Sequence, residues 1–380
     1  MQTSLVHFGF YSIGVDRLSY LICKTLVLSG FKVSIKSELN LNGLLTQPES
    51  PGVAEIKYYS WLFSDLDIEV VGDRHSFPVV DILFYDIRHT PPQCPDHLRQ
   101  WINHSKQIAA WSTCLQEYGW FRNLHSDIAG IAKYKLLLTY PSRIIVRGGS
   151  TRSRPMLGLA KASKIGYFVN PYFLKDVDLR YKMFTQNWRP EFSRFLRLLF
   201  AGNLMPLQRK RIIETVGQYL RQASQVQVLT NLQDFLKRQN TQNSNQASIL
   251  WMERSGDVDL SGQINTDTIP PSQWADILSQ ADFSFCPPGY ERKTHRVIES
   301  LLQGAIPILD CPEEYDIELQ DGVNCLVVRH NDWIGAVQRA LAMSIEDVTS
   351  LRFGVEACRN RYLTLESAGR HLAEKLGWKD

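Results

Sequence analysis

The sequence predicts an α/β protein made of two domains, each with a mostly parallel sheet. Short apolar runs alternate with helical segments along the chain, a rhythm typical of parallel strands covered by helices on both faces. The rhythm restarts near Phe195, after a polar stretch that ends at Pro190. The 380 residues also suit two domains of about 100–200 residues each. We expect the domains to cover residues 1–172 and 190–354, with a C-terminal helix within 355–380 returning to the first domain.

The first domain opens with a strand, a helix and a second strand. Residues 5–10 form an apolar run, and a glycine-bounded loop then leads into apolar residues at helical spacing. Gly30 follows that helix, a place where glycine commonly ends helices, and residues 31–35 alternate as a strand. Further strands are predicted from the apolar runs at residues 79–85, 107–111, 143–146 and 166–169. This order indicates a βαβ opening that continues as a parallel sheet.

The second domain repeats the pattern. Residues 195–200 form an apolar strand that leads into Ala201-Gly202-Asn203, and a helix is predicted over residues 209–220. Further strands are predicted at residues 226–229, 248–252, 283–286, 306–309 and 325–328. Ligands of open α/β sheets bind beyond the carboxyl ends of the strands, so two such domains imply a cleft between them.

The composition excludes several classes of protein. Lys and Arg total 42 against 39 Asp and Glu, a net charge of +3 that is too small to indicate nucleic-acid binding. The seven cysteines include no CxxC pair, so neither a disulfide framework nor a zinc site is indicated. No run approaches the roughly 20 apolar residues that a membrane span needs. We therefore expect a soluble, cytoplasmic protein.

Residues 283–309 carry the most informative pattern: a strand, a Pro/Gly loop, a helix, a glycine stop and a second strand. If Thr294 caps the helix, apolar side chains lie on one side of it, and Arg296 and Glu299 lie on the other. The helix N-terminus favours an anion, to which Arg296 can add a charge-assisted hydrogen bond. Glu299 can accept hydrogen bonds from paired hydroxyls, as on a ribose. The alternative is an ordinary surface ion pair between these two side chains.

Two motifs give a resemblance to a known family. The first combines Cys286-Pro287, Gly289, Arg296, Glu299 and Gly304-Ala-Ile-Pro-Ile308. In order and spacing it resembles the Cys-Pro-x-Gly, Arg, Glu and Gly-x-Ile-Pro-Val pattern of exostosin-like glycosyltransferases, family 47. The second, Leu199-Phe-Ala-Gly-Asn203, is similar to the Phe-x-Gly-Asn start of that family's donor-binding lobe. The resemblance covers roughly residues 195–345.

This resemblance implies a GT-B glycosyltransferase with two Rossmann-like lobes and a cleft between them. The lobe at residues 1–172 would bind the acceptor, and the lobe at residues 190–354 would bind a nucleotide sugar. Arg296 would contact the diphosphate, Glu299 the ribose, and Arg209 or Arg211 the developing negative charge. The full set of donor-binding residues that we expect is Gly202, Asn203, Arg209, Arg211, Pro288, Gly289, Thr294, Arg296 and Glu299.

Catalytic residues are predicted by position. Asp86 and His89 follow an apolar strand of the first domain, and either one is a candidate base for an inverting reaction, although capping and loop roles are the alternatives. Glu291 precedes Glu299 at a spacing that also matches the Glu-x7-Glu element of family 4 retaining glycosyltransferases. Since family 4 usually has Gly-x-Pro where this chain has Gly304-Ala-Ile-Pro, we favour the exostosin-like, inverting alternative.

No metal or other cofactor is expected. Enzymes of this architecture can stabilise a departing diphosphate with Arg, Lys and a helix N-terminus. Asp257 and Asp259 have the Asp-x-Asp spacing that holds a metal in other glycosyltransferases, but they lie between Ser-Gly pairs, and we interpret them as a solvated turn. The predicted activity is transfer of a sugar from a nucleotide diphosphate sugar to a glycan or lipid-linked acceptor. The alternatives are a retaining family 4-type enzyme and a non-catalytic module that binds sugars or nucleotides.

One stretch concentrates basic charge. Residues 143–164 contain six basic side chains and no acidic one: Arg143, Arg147, Arg152, Arg154, Lys161 and Lys164. This stretch could bind the donor diphosphate, an anionic acceptor or a membrane surface, with a solvated loop as the alternative. The inner face of a membrane is therefore a candidate location for peripheral contact.

Overall fold

A computed structural model gives the architecture of the chain. It describes residues 3–7, 27–28, 30, 32–36, 69–71, 80–86, 105–113, 143–148, 162–164, 182–184, 188–204, 207–239, 247–254, 269–289 and 294–375. The chain divides into two compact units. The first contains Met1–Tyr167 together with Leu365–Asp380, and the second contains Phe168–Thr364.

The described part of the first unit is a sheet of parallel strands. In chain order they are β1 (Thr3–His7), β2 (Lys32–Lys36), β3 (Glu69–Val71), β4 (Val80–Asp86), β5 (Ser105–Thr113), β6 (Arg143–Gly148) and β7 (Ala162–Lys164). Their order across the sheet is β3-β2-β1-β4-β5-β6-β7, and each neighbouring pair is parallel. The chain builds one half of the sheet outward from β1 and then returns to build the other half from β4.

The second unit contains a second parallel sheet with helices between its strands. Its strands are β8 (Leu196–Asn203), β9 (Val226–Leu229), β10 (Ala247–Arg254), β11 (Ala281–Phe285), β12 (Ile306–Leu309) and β13 (Leu326–Val327), in the sheet order β13-β12-β11-β8-β10-β9. The helices are α1 (Leu207–Gln222), α2 (Leu232–Gln239), α3 (Pro271–Leu278), α4 (His295–Leu302), α5 (Trp333–Ala342) and α6 (Ile345–Tyr362). Helix α7 (Leu365–Lys375) belongs to the first unit.

Aromatic side chains form the centre of the second unit's core. The rings of Phe200 on β8, Trp251 on β10 and Phe285 on β11 lie 4.8–5.8 Å apart between centroids. All three side chains are fully buried or nearly so. Because aromatic rings bury large areas, they fix the three central strands against one another. The loops at the carboxyl ends of β8 and β11 are thereby held in place.

The predicted strands of the second domain are confirmed within two or three residues at each end. The prediction missed β3 and β7, which have three residues each. Runs of this length are too short to show a pattern, and Ala-Ser-Lys in β7 is not apolar. The strand predicted at residues 166–169 lies outside the described residues.

Within residues 355–380, the expected C-terminal helix of the first domain is α7, which belongs to the first unit. The segment is divided between α6, which ends at Tyr362, and α7, which begins at Leu365. The N–H groups of Leu363 and Thr364 both donate to the carbonyl of Arg359, at 2.8 and 3.1 Å, and so close α6. The two compact units meet in the sequence at this break, after Thr364.

Within the residues that the structure describes, no helix combines the length and the apolar character needed to cross a membrane.

Candidate functional site

The candidate site lies at the carboxyl end of β8 and the start of α4. From β8 the chain first builds β9 and β10 on one side of the strand, and then places β11 on the other side. The point where strand order reverses is where open α/β sheets leave a crevice for ligands. The loop after β8 and the loop after β11 both lie at this point.

Two guanidinium groups converge on Gly202, near the end of β8. A Cβ atom at this position would lie 2.8 Å from Nη2 of Arg296 and 3.1 Å from Nη2 of Arg209. Nη2 of Arg296 also donates to the backbone carbonyl of Ala201. Glycine therefore leaves the space in which the α1 arginine and the α4 arginine approach the strand end together.

Both arginines carry a buried nitrogen without a hydrogen-bond partner among the described residues. These atoms are Nη1 of Arg296 and Nε of Arg209. Buried polar groups are nearly always paired, because an unpaired one loses its hydration without compensation. Two such donors on neighbouring cations can each give a charge-assisted hydrogen bond to an anion with several acceptor oxygens.

The electrostatics of the pair favour the same ligand. Burial lowers the pKa of Arg296 below its usual value. Burial, and then repulsion from Arg296, lower the pKa of Arg209 to about 9. With a pKa of about 9, Arg209 is charged at neutral pH, and arginine side chains are effectively always protonated in proteins. The free protein therefore holds two cations close together at an energetic cost. An anion bound between them would remove that cost.

A tryptophan outside the predicted motifs joins Arg296 and Glu299. The guanidinium carbon of Arg296 lies 5.4 Å from the ring centroid of Trp274 on α3 and 5.2 Å from that of Phe200. The indole N–H of Trp274 donates to Oε2 of Glu299 at 2.9 Å. Glu299 is only 2% exposed, and its Oε1 lies 4.0 Å from Nε2 of His295. The alternative of a surface ion pair is therefore wrong, because this carboxylate is buried.

The start of α4 is held from outside the helix. Thr294 occupies the N-cap position in an extended conformation, but its side chain makes no capping hydrogen bond. Instead the hydroxyl of Tyr315 accepts from the Thr294 N–H at 2.8 Å and donates to its carbonyl at 3.0 Å. The buried Thr294 hydroxyl has no partner among the described residues. The N-cap side chain thus gives no hydrogen bond to the first turn of α4, and the positive end of the helix dipole favours an anion there.

The other predicted donor residues fall in different places. Asn203 is the last residue of β8. Pro288 is buried and Gly289 is half-buried in the loop after β11. Arg211 is exposed on α1, and two positions along a helix turn it by roughly 200° from Arg209. The structure therefore brings Arg209, but not Arg211, to the group around Gly202.

Of the predicted catalytic residues, the structure describes Asp86. Asp86 ends β4, beside the end of β1 in the sheet. His89 and Glu291 lie outside the described residues, as do Asp257 and Asp259. Among the residues that the structure describes, no cluster of His, Cys, Asp and Glu could hold a metal ion.

Sequence reasoning missed Trp274, Phe200 and Tyr315 as parts of this site. Trp274 lies 25 residues before its partner Glu299, and it belongs to none of the motifs. The available signal was a tryptophan in a helix that begins directly after Pro270. A large aromatic ring there indicates packing but does not identify the residues that it contacts.

Several solved structures are similar to this chain. A glycosyltransferase from Rickettsia africae is 13% identical, with a TM-score of 0.51 over 99% of this chain and 97% of that chain. HepE from Anabaena, solved with UDP, is 12% identical, with a TM-score of 0.49 over 99% of this chain and 100% of that chain. Sucrose-phosphate synthase from Thermosynechococcus elongatus is 13% identical, with a TM-score of 0.48 over the whole of both chains.

No protein-family model matches the chain. No curated protein matches it in sequence. At such low identity the likeness to the Rickettsia protein shows the fold alone. Together with the two parallel sheets, it confirms the predicted α/β fold class, and the chain has the GT-B fold.

Proposed function

We propose that this protein is a glycosyltransferase that moves a sugar from a nucleotide diphosphate sugar to a glycan or lipid-linked acceptor. The observation that carries the proposal is the pair of arginines over Gly202, each with one buried donor nitrogen that has no hydrogen-bond partner among the described residues. The pair lies at the switch point of a parallel sheet in a GT-B fold. A diphosphate supplies the negative charge and the acceptor oxygens that this arrangement lacks.

The proposed chemistry uses these groups to stabilise the leaving group. Transfer breaks the bond between the anomeric carbon and the β-phosphate oxygen, and the acceptor oxygen forms the new bond to that carbon. Negative charge then builds on the departing nucleoside diphosphate, where Arg209, Arg296 and the start of α4 would stabilise it. The reaction on this account needs no metal. Glu299 would bind the ribose, and Gly202 and Asn203 would line the phosphate-facing loop.

The acceptor side of the proposal rests on position in the fold. The acceptor hydroxyl must lose its proton, and we propose Asp86 or His89 as the base of an inverting reaction. Asp86 ends β4, next to β1, where the strand order of the first sheet reverses. Glu291 would lie near the donor sugar. Kinship with exostosin-like enzymes is part of the same hypothesis, supported by the motifs at residues 199–203 and 286–308.

The basic stretch at residues 143–164 is the proposed contact for an anionic acceptor or for the inner face of a membrane. Its two described ends are β6 and β7, neighbouring strands at one side of the first sheet. A cytoplasmic location with peripheral membrane contact would suit a lipid-linked acceptor.

The activity can be tested with a panel of donors. Purified protein is incubated with UDP-glucose, UDP-N-acetylglucosamine, GDP-mannose and ADP-glucose in the presence of EDTA, and release of nucleoside diphosphate is measured. We expect slow hydrolysis of at least one donor, and a loss of at least about tenfold in the Arg296→Gln variant. Failure of all four to bind would contradict the proposal.

The same assay distinguishes the proposed enzyme from a non-catalytic binding module. Binding without hydrolysis or transfer, even with candidate acceptors, would favour a non-catalytic binding module. Once an acceptor is identified, NMR of the product's anomeric configuration decides the stereochemistry. Retention would favour the family 4-type mechanism and reject the inverting one.

A further inference from the structure

We propose that Trp274 is a positioning residue that gives the donor site its preference for a ribose, an inference that rests on the proposed function. Trp274 lies on α3, outside both glycosyltransferase motifs, and it is 8% exposed. Its side chain contacts both Arg296 and Glu299, the residues proposed to bind the diphosphate and the ribose.

The contact with Glu299 fixes the orientation of a buried carboxylate. The Trp274 N–H donates to Oε2 at 2.9 Å, so rotation of the carboxyl group would break a hydrogen bond to a charged acceptor. Because the indole holds Oε2, the other carboxylate oxygen, Oε1, lies near Nε2 of His295. The side chain of His295 is 39% exposed. A carboxylate has about four acceptor positions, so Glu299 can hold the indole and still accept from ribose hydroxyls.

The contact with Arg296 uses the face of the same ring. The guanidinium carbon lies 5.4 Å from the Trp274 ring centroid and 5.2 Å from that of Phe200. Two aromatic rings thus position the guanidinium through cation–π attraction, while Nη2 donates to Ala201. One indole therefore sets the relative position of the two donor-binding side chains through two separable contacts.

The two contacts can be separated by substitution. Trp274→Phe keeps an aromatic face for Arg296 but removes the N–H that orients Glu299. We expect this change to act on recognition of the ribose hydroxyls and to leave recognition of the diphosphate nearly unchanged. A role in packing alone would weaken binding of all nucleotides to the same extent.

The test is calorimetry with UDP, GDP and ADP and with the 2′-deoxy form of each. We expect the wild-type protein to bind at least one ribonucleotide about tenfold more tightly than its deoxy counterpart. In Trp274→Phe this ratio should fall to about two or less, with deoxynucleotide affinity within about twofold of wild type. A ratio that is unchanged, or an equal loss for both nucleotides, would overturn the role of Trp274.

A substitution at Trp333 serves as the control, and a substitution at Glu299 provides a second test. Trp333→Phe removes a partly buried indole hydrogen bond, to Asn331 at 3.0 Å, and should leave the ratio unchanged. If Trp274→Phe does not fold, Glu299→Asp draws the carboxylate away from the indole, and it too should abolish the ribose preference. A preference that persists in Glu299→Asp would also overturn the inference. Absence of any nucleotide binding by wild type would instead contradict the proposed function itself.

Discussion

Gly202 shows how the lack of a side chain can determine the chemistry around a residue. The ends of Arg209 and Arg296 occupy the space that a Cβ would take. Their burial and mutual repulsion raise the energy of the free protein, as the lowered pKa of Arg209 indicates. We infer that this local cost is retained because it is released when an anion binds.

Loss of Arg209 should therefore weaken binding without weakening the fold. We predict that Arg209→Gln lowers the affinity for the preferred nucleoside diphosphate at least about tenfold. Its melting temperature without ligand should not fall, because one of two repelling cations has been removed. Arg211→Gln, an exposed neighbour on α1, is the matched control and should bind like wild type. Thermal shift measures nucleotide binding by both variants. Equal losses of affinity in the two would contradict the assignment of Arg209 to the anion site.

A methyl group at position 202 should displace both arginines. Because their ends are flexible, we predict that Gly202→Ala keeps the melting temperature nearly unchanged. Affinity for the nucleoside diphosphate should nevertheless fall about tenfold, since the charge-assisted hydrogen bonds no longer have their geometry. Calorimetry checks this prediction, and wild-type affinity in the variant would show that the two guanidinium groups do not form the anion site.

At the scale of elements, both ends of α4 depend on partners outside the helix. Tyr315 holds its start through two hydrogen bonds to Thr294. Its end is followed by Gly304, which has φ of 73°, a conformation that favours glycine. Trp188 and Arg194 lie against the Cα of Gly304, where a Cβ would approach them to 2.4 and 2.5 Å. The position of Arg296 thus depends on the residues that fix this helix.

Substitution of Gly304 should destabilise the second unit strongly. Gly304→Ala adds backbone strain of about 1–2 kcal/mol and forces Trp188 to move, at a further cost of about 1–3 kcal/mol. Gly322→Ala is the control, because Gly322 has φ of 76° but no described atom lies within 4 Å of the point that a Cβ would occupy. Chemical denaturation should show a larger loss for Gly304→Ala, and equal losses would mean that the contact with Trp188 is unimportant.

Two ion pairs that share Asp282 join β8, β11 and α6. Asp282 accepts from Nη1 of Arg197 at 3.0 Å and from Nη2 of Arg352, and all three side chains are largely buried. We predict that Asp282→Asn costs about 3–5 kcal/mol of unfolding free energy, since it leaves two buried cations without their counter-ion.

The matched control for Asp282 is Asp276→Asn. Asp276 pairs with Lys182 at 3.0 Å, and both side chains are 42% exposed. An exposed pair of this kind contributes about 0–1 kcal/mol. Denaturant titration of both variants checks the comparison, and similar losses for the two would refute the structural role of the buried cluster.

For the whole molecule, the sequence was sufficient to predict the strands of the second sheet, but not the contacts within the site. Parallel strands are buried on both faces, so residues 198–201 of β8 and the whole of β12 appear as apolar runs that are easily recognised. The helical wheel of α4 suggested that Glu299 faces away from the packed side. In the structure Glu299 is buried, because Trp274 supplies a hydrogen-bond partner from a separate helix. Such long-range pairing leaves no local pattern in the sequence.

The donor site is tested most directly by asking whether nucleotide binding depends on the diphosphate group. Calorimetry would compare a nucleoside, its monophosphate and its diphosphate for uridine, guanosine and adenosine. We predict that one diphosphate binds at least about tenfold more tightly than its monophosphate, and that Arg296→Gln removes this difference while Arg211→Gln retains it. Equal affinity for the three forms, or a diphosphate preference that survives in Arg296→Gln, would contradict a donor-binding site at Gly202.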